Sequence, residues 1–173
     1  MTRTLLLLRH AKSSWADPGE ADHERPLAPR GRKAAVEMGR MLRARGLIPD
    51  LVLLSTARRT VETWELLAPE LGRPVPARRL KSLYLAGPQR LLTVLRRVDP
   101  VIGKVMLIGH NPGLHGLALL LAGAGDPGSR DRLAEKYPTA ALAAIAFAET
   151  PWRDLGEGSG TLAQFLTPRR PED

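Results

Sequence analysis

Apolar residues fall into short unbroken runs, separated by longer segments in which they recur every three or four positions. Leu5 to Leu8, Leu51 to Leu54 in "DLVLLS" and Val105 to Ile108 in "KVMLIG" are the unbroken runs. A strand whose consecutive residues are all apolar is covered on both faces, as in a parallel sheet flanked by helices. "RGRKAAVEMGRMLRARG" places Ala35, Met38 and Leu42 on one face, with Gly46 as its stop. "ARRTVETWELLAPEL" repeats Val61, Trp64, Leu67 and Leu71 at helical spacing, so Trp64 reads as core. "PQRLLTVLRRVD" reads as a further helix, and "NPGLHGLALLLAG" as a turn leading into an apolar one. "RPVPARRL" holds a short edge strand limited by Pro74 and Pro76, and "TAALAAIAFA" and "TLAQF" supply the last strands. Strands alternating with helices predict an α/β fold, a three-layer αβα sandwich whose mainly parallel central sheet carries helices on both faces. No repeat, low-complexity segment or linker interrupts residues 1–173, so a single domain is expected.

Composition narrows the chemistry. A chain of 173 residues can bury about 70 % of its unfolded surface without covalent staples. It has no cysteine, which excludes a disulfide framework, a thiolate metal site and a thiol nucleophile. Leu5 to Leu8 is too short for a signal-peptide core or a bilayer span, so a soluble, cytoplasmic protein with no membrane partner is expected. The net charge of +8 raises the question of an anionic partner. The arginines are scattered over helices such as "RMLRAR" and over the tail "PRRPED", with no basic run interleaved with aromatics and no helix-turn-helix or zinc-finger spacing. Most of the charge reads as solvated surface, and no nucleic-acid partner is expected.

The polar residues that close the strong strands carry the candidate chemistry. Ligands bind at the carboxyl ends of strands in open parallel sheets, and the first strand ends on Arg9 and His10. The second ends at "LSTARRT", where Ser55 and Thr56 are the expected helix caps and Arg58 and Arg59 occupy the first helical turn. Cations are disfavoured there unless an anion is held by the helix amides and an arginine fork; the alternative is that both side chains extend into solvent. The third ends at "LIGHNPG", with Asn111 as expected cap, Pro112 as first helical residue and His110 at the strand end. Two histidines and two arginines thus converge if the three strands are neighbours. His110 and His115 do not have zinc spacing, so no metal is expected and His115 reads as a packing or capping residue. "GAGDPG", Gly123 to Gly128, matches a dinucleotide fingerprint in letters only: it follows a helix, Pro127 interrupts it and no helix is expected to open from it, so no cofactor is expected.

The segments "LLRHAKS", "LSTARRTVET" and "IGHNPGL", in this order, resemble the histidine phosphatase superfamily, which includes the phosphoglycerate mutases. "ERPLAPRGRKAA" and "SLYLAG" are similar to its small SixA-type phosphohistidine phosphatases, and the resemblance covers nearly the whole chain. It implies that His10 is the nucleophile, that Arg9 binds the phosphoryl group, that Arg59 rather than Arg58 is the second phosphate arginine with Thr63 four residues on, and that His110 is the second catalytic histidine. Ser13, Arg25 and Asn111 are weaker substrate-binding candidates; Arg25 either reaches the phosphate pocket or pairs with Glu24. Two departures matter. The motif glycine is Ala11, which loses left-handed freedom. The carboxylate that mutases and phosphomonoesterases use to protonate the leaving oxygen is missing from "RLKSLYLAGPQR", and Trp15 is followed by Ala16 rather than the mutase-like asparagine.

An alkoxide leaves poorly without a positioned acid, whereas imidazole is a far weaker base. The expected activity is therefore metal-independent hydrolysis through a phosphohistidine intermediate, with a phosphohistidine protein as the expected substrate. The alternatives are a phosphomonoesterase that takes its acid from Asp17, Asp22 or Glu24, and a module that binds phosphoprotein without turnover. The expectation for those three carboxylates is a solvated loop.

Overall fold

The computed structural model describes residues 1–168; Arg169 and Arg170 of the tail lie outside the described residues. The strands are β1 (Arg3–Arg9), β2 (Leu51–Ser55), β3 (Ala77–Leu80), β4 (Lys104–Gly109), β5 (Ala122–Gly125), β6 (Leu142–Phe147) and β7 (Gly160–Leu166), and they form one sheet in the order β3-β2-β4-β1-β6-β7-β5. The helices are α1 (Pro29–Ala44), α2 (Arg58–Leu67), α3 (Pro88–Leu95), α4 (Gly113–Leu121) and α5 (Pro127–Glu135). Pairing is parallel from β3 through β1 and between β5 and β7; only β6 runs against its neighbours.

The leucine run of β1 is buried on both faces because a helical layer lies against each. Leu6 and Leu8 pack with Met38 and Leu42 of α1 and Leu67 of α2. Leu5 and Leu7 face Leu91, Leu92 and Leu95 of α3, Leu114 and Leu117 of α4 and Leu133 of α5. The fold is thus the expected three-layer αβα sandwich. The three unbroken apolar runs are adjacent: Leu8 lies beside Ile108, and Ile108 beside Leu54. That register brings the residues after them, Arg9, Gly109 and Ser55, to one edge of the sheet.

Three local expectations are corrected. The residue before α2 is Ala57, not Ser55 or Thr56, and the residue before α4 is Pro112 rather than Asn111. Those hydroxyl and amide groups are engaged elsewhere, as described below. At "GAGDPG" the chain makes edge strand β5 and then does open a helix, α5. Asp126 caps it, accepting from the Ser129 amide at 2.8 Å, so a carboxylate already holds the position that a pyrophosphate takes in a dinucleotide site.

Two glycines allow helices to approach the loops at this edge. A Cβ on Gly31, in the first turn of α1, would stand 2.1 Å from the Lys12 carbonyl oxygen, and one on Gly113, at the start of α4, 1.9 Å from that of Ala86. Gly31→Ala must therefore push α1 away from the loop that follows His10. Overpacking of this kind costs about 1–3 kcal/mol. The expected outcome is a lowered urea midpoint. An unchanged midpoint would show that the loop yields freely.

Candidate active site

His10 leaves β1 under backbone restraint from both sides. Its amide donates to Gly109 O at 3.2 Å, its carbonyl accepts from Ala140 N at 3.0 Å, and the following amide of Ala11 donates to Thr63 Oγ1 at 3.0 Å. Thr63 in turn donates to Arg59 O at 2.6 Å, which ties the loop to α2. Ala11 is not among the residues with positive φ, so replacing the motif glycine costs no backbone strain.

The imidazole of His10 is 7 % exposed. Its Nδ1 lies 2.7 Å from Ala11 O; a carbonyl only accepts, so Nδ1 carries the proton and Nε2 has a free lone pair. Burial, with the nearby Arg59, Arg9 and Arg25 charges, lowers its pKa to about 4 against the pull of that hydrogen bond. His110, at the end of β4, stands with its ring centroid 5.4 Å from that of His10. Burial, then the neighbouring His10 and Arg59, lower its pKa to about 3, while Asp22 works in the opposite direction. Its Nδ1 faces Arg59 Nη2 at 3.4 Å and its Nε2 lies 2.8 Å from Ser55 Oγ. A guanidinium only donates, so Nδ1 is the acceptor and the neutral ring donates from Nε2 to Ser55. Ser55 also accepts from the Ala57 amide at 3.2 Å.

The arginines take different roles. Arg59 is 2 % exposed and donates to the Asp22 carbonyl at 2.7 Å and to its carboxylate at 3.1 Å. Arg58, its neighbour, turns outward to Glu62 and Glu20. Arg9 donates from Nη1 to Tyr137 O at 2.9 Å. The Nε groups of Arg9 and Arg59 are buried without a partner, as is Asn111 Oδ1. Asn111 donates from Nδ2 to the same Tyr137 carbonyl at 3.0 Å. Arg25 does not pair with Glu24: it donates to Ser13 Oγ at 2.7 Å and to Asp22 Oδ1 at 3.2 Å, beneath the ring of Trp15. His115 lies apart, donating to Leu133 O at 2.6 Å.

Asp22 corrects the expectation of a solvated loop. It sits in a 3-10 turn, Asp22–Glu24, and its carboxylate joins Arg25, Arg59 and the hydroxyl of Tyr84. Those partners, Tyr84 first, lower its pKa to about 2 against a desolvation penalty. Tyr84 stands edge-on to His110 and to His23, and His23 is bonded to Thr56 Oγ1 at 3.0 Å. The sequence gives His23 and Tyr84 no signal as site residues, and it offers Ser55 only as a helix cap and Asp22 only as one of three loop carboxylates. Tyr84 lies within the same acid-free segment "SLYLAG".

Buried guanidiniums around two neutral imidazoles, one with a free nitrogen lone pair, give this α/β protein a strand-end cluster with the donors to hold an anion and a ring nitrogen able to act as a nucleophile. Among the described residues no group of three His, Asp or Glu side chains is arranged to hold a metal ion, and no helix is long and apolar enough to cross a membrane.

Residues 5–83 match the model of the histidine phosphatase superfamily (branch 1). An uncharacterized protein of Mycobacterium tuberculosis is 38 % identical over 164 residues, covering 94 % of this chain and 100 % of that protein. Among solved structures, the candidate phosphohistidine phosphatase SixA of Nakamurella multipartitia is similar with a TM-score of 0.81 and 29 % identity, over 97 % of each chain. The protein histidine phosphatase SixA complexed with tungstate shares the fold, with a TM-score of 0.77 at 22 % identity over 95 % of this chain and 97 % of that one. The chain belongs to the histidine phosphatase superfamily, in its SixA-type form, and its activity class is that of a phosphatase.

The depressed histidine pKa values have a consequence for stability. Between pH 6.5 and about 4 an unfolded chain protonates His10 while the folded one does not. Stability from this site is therefore complete above pH 6.5 and falls as acid is added through that window. The urea midpoint is expected to drop over this range, and His10→Asn to make the drop shallower. Equal slopes for the two proteins would refute burial as the cause.

Proposed function

We propose that this phosphatase removes phosphate from phosphohistidine, carried on a protein, through a covalent intermediate on His10. Neutral His10 attacks phosphorus in line with Nε2 while Arg9 and Arg59 hold the equatorial oxygens as charge spreads over them, joined by His110 when the bound dianion draws a proton onto its Nδ1. Ser13 and Arg25 bond each other at the loop side, where they brace Asp22; Asn111 orients the Tyr137 carbonyl that also receives Arg9. Water then hydrolyses the intermediate. The arginine Nε groups left unpartnered are the donors that a phosphoryl group would satisfy.

One observation carries the choice of substrate. The pocket holds one carboxylate, Asp22, and three donors keep it ionised, with a pKa of about 2. An ionised carboxylate cannot protonate a departing alkoxide, whereas a phosphohistidine ring already protonated on its distal nitrogen leaves as neutral imidazole without that help. The presence of Asp22 in the pocket favours the second reading, a small-molecule phosphomonoesterase, only if substrate binding drives its pKa far upward.

The test is a substrate panel run without added metal. A phosphohistidine peptide should be hydrolysed rapidly, and aryl phosphates should slow steeply as the leaving group becomes more basic. Brief incubation with labelled substrate should leave acid-labile, base-stable phosphate on the wild type and none on His10→Ala. Sugar phosphates turned over as fast as phosphohistidine would reject the acid-free reading; label retained by His10→Ala would move the nucleophile, with His110 the first candidate.

Arg59 and Arg58 separate the phosphate role from the surface. Arg59→Ala should lose about 2.7–4 kcal/mol of transition-state stabilisation in kcat/KM, as loss of an oxyanion donor does, and Arg58→Ala should lose little. Arg59→Lys should also be poor, since an ammonium lacks the planar fork. The reverse ranking would put the phosphate on Arg58.

A further inference from the structure

We propose that Asp22 is a specificity-determining residue, whose carboxylate accepts a hydrogen bond from the distal ring nitrogen of the substrate's phosphohistidine. The inference rests on the reading above and goes beyond it by giving the leaving group a partner. Three features of the structure support it.

The first is position. His10, His110, Arg25 and Arg59 are all under 9 % exposed, but the Asp22 side chain is 45 % exposed while touching both Arg25 and Arg59. An in-line displacement sends the leaving group away from the buried nucleophile and toward solvent, and Asp22 is the half-exposed carboxylate bonded to the arginines of the cluster. The second is open capacity. A carboxylate has about four acceptor sites. Arg25 Nε uses one on Oδ1, and Arg59 Nη2 and the Tyr84 hydroxyl use two on Oδ2. One site on Oδ1 stays open. The third is rigidity: the turn that carries Asp22 is held by Arg59 on its carbonyl at 2.7 Å and by His23 on Thr56 at 3.0 Å.

The chemistry balances without an acid. His10 Nε2 forms a bond to phosphorus as the P–N bond to the substrate imidazole breaks, and that bond's electron pair returns to the departing nitrogen. If the distal nitrogen carries a proton, the ring leaves as neutral imidazole, and no proton need be delivered. A carboxylate bonded to that N–H favours the protonated ring. Asp22 thereby does for a nitrogen leaving group what a general acid does for an oxygen one, by holding a proton already on the substrate. Water then attacks phosphorus, the P–Nε2 bond breaks and inorganic phosphate leaves.

The test compares wild type and Asp22→Asn on a phosphohistidine peptide, on phosphoramidate and on p-nitrophenyl phosphate, each across pH. The expected result is a fall in kcat/KM of about tenfold or more for the peptide, the range of a hydrogen bond to a charged group. Its alkaline limb should move to lower pH, and the other two substrates, which carry no distal N–H, should change far less. Tyr84→Phe keeps the charge but frees the carboxylate, and should give a smaller loss with the same selectivity. This second variant also decides the matter if Asp22→Asn does not fold. An equal fall on all three substrates would reduce Asp22 to a brace for Arg25 and Arg59, and a loss confined to p-nitrophenyl phosphate would make it a general acid; either overturns the proposal. Wild type inert toward the peptide but active on the ester would instead reject the parent reading, before any variant is compared.

Discussion

Burying cations beside one another is the most expensive feature of this molecule, and the rest of the site is arranged around it. Arg25 and Arg59 are almost wholly enclosed, with Arg9 close by and two imidazoles between them. A buried charge is tolerated only when it is paired and its hydrogen bonds are met. Here the pairing is supplied by one carboxylate, Asp22, and by main-chain carbonyls at Asp22 and Tyr137. Burial first, and then the surplus positive charge of the cluster, keep both histidines neutral and lower the pKa of Arg9. A phosphoryl group entering this pocket meets donors whose desolvation has already taken place, which is the condition under which fixed dipoles and charges act most strongly on a transition state.

The sheet makes that cluster possible. Parallel strands end in the same direction, so β1, β2 and β4 deliver their terminal residues to one edge, and the long β1–α1 loop folds back over it. Residues after His10 pair with the segment before α1, with Ser13 bridged to Leu27 and Ser14 N donating to Pro26 O at 2.8 Å. Close contact of α1 with Lys12 at Gly31 keeps the loop from lifting, and Gly113 brings α4 equally close to the segment at Ala86. Tyr137 links the site to the sheet. Its hydroxyl donates to Leu7 O and accepts from Ala143 N, while its carbonyl receives Arg9 and Asn111.

The missing acid reads differently once the loop is in place. As a sequence feature it is an absence in "RLKSLYLAGPQR". In three dimensions that segment contributes Tyr84, whose hydroxyl holds the one carboxylate of the pocket ionised. Under the proposed reading, proton delivery to an oxygen leaving group is thereby disfavoured twice, once by composition and once by electrostatics. Loops supply the Asp22 and Tyr84 side of the pocket and strand ends the His10 and His110 side, so the two sides can vary independently on one fold.

By itself the sequence determined the alternation of buried strands and amphipathic helices, the three-layer class, and the polar residues closing each strong strand: Arg9 and His10, Arg58 and Arg59, His110. Those features are local. An unbroken apolar run says that both faces are covered, and a strand end is visible where the run stops. Strand order, the antiparallel direction of β6 and the β5–α5 unit at "GAGDPG" were decided only in three dimensions; the choice of Arg59 over Arg58 was implied by the motif resemblance, and the fold buries Arg59 while Arg58 turns outward. Asp22 and Ser55 show why most clearly. Each is a small polar residue that reads locally as a loop side chain or a helix cap. Each takes its partner from more than thirty residues away, Arg59 for one and His110 for the other. Such pairings depend on which strands become neighbours, and that follows from packing two helical layers onto one sheet rather than from any spacing along the chain.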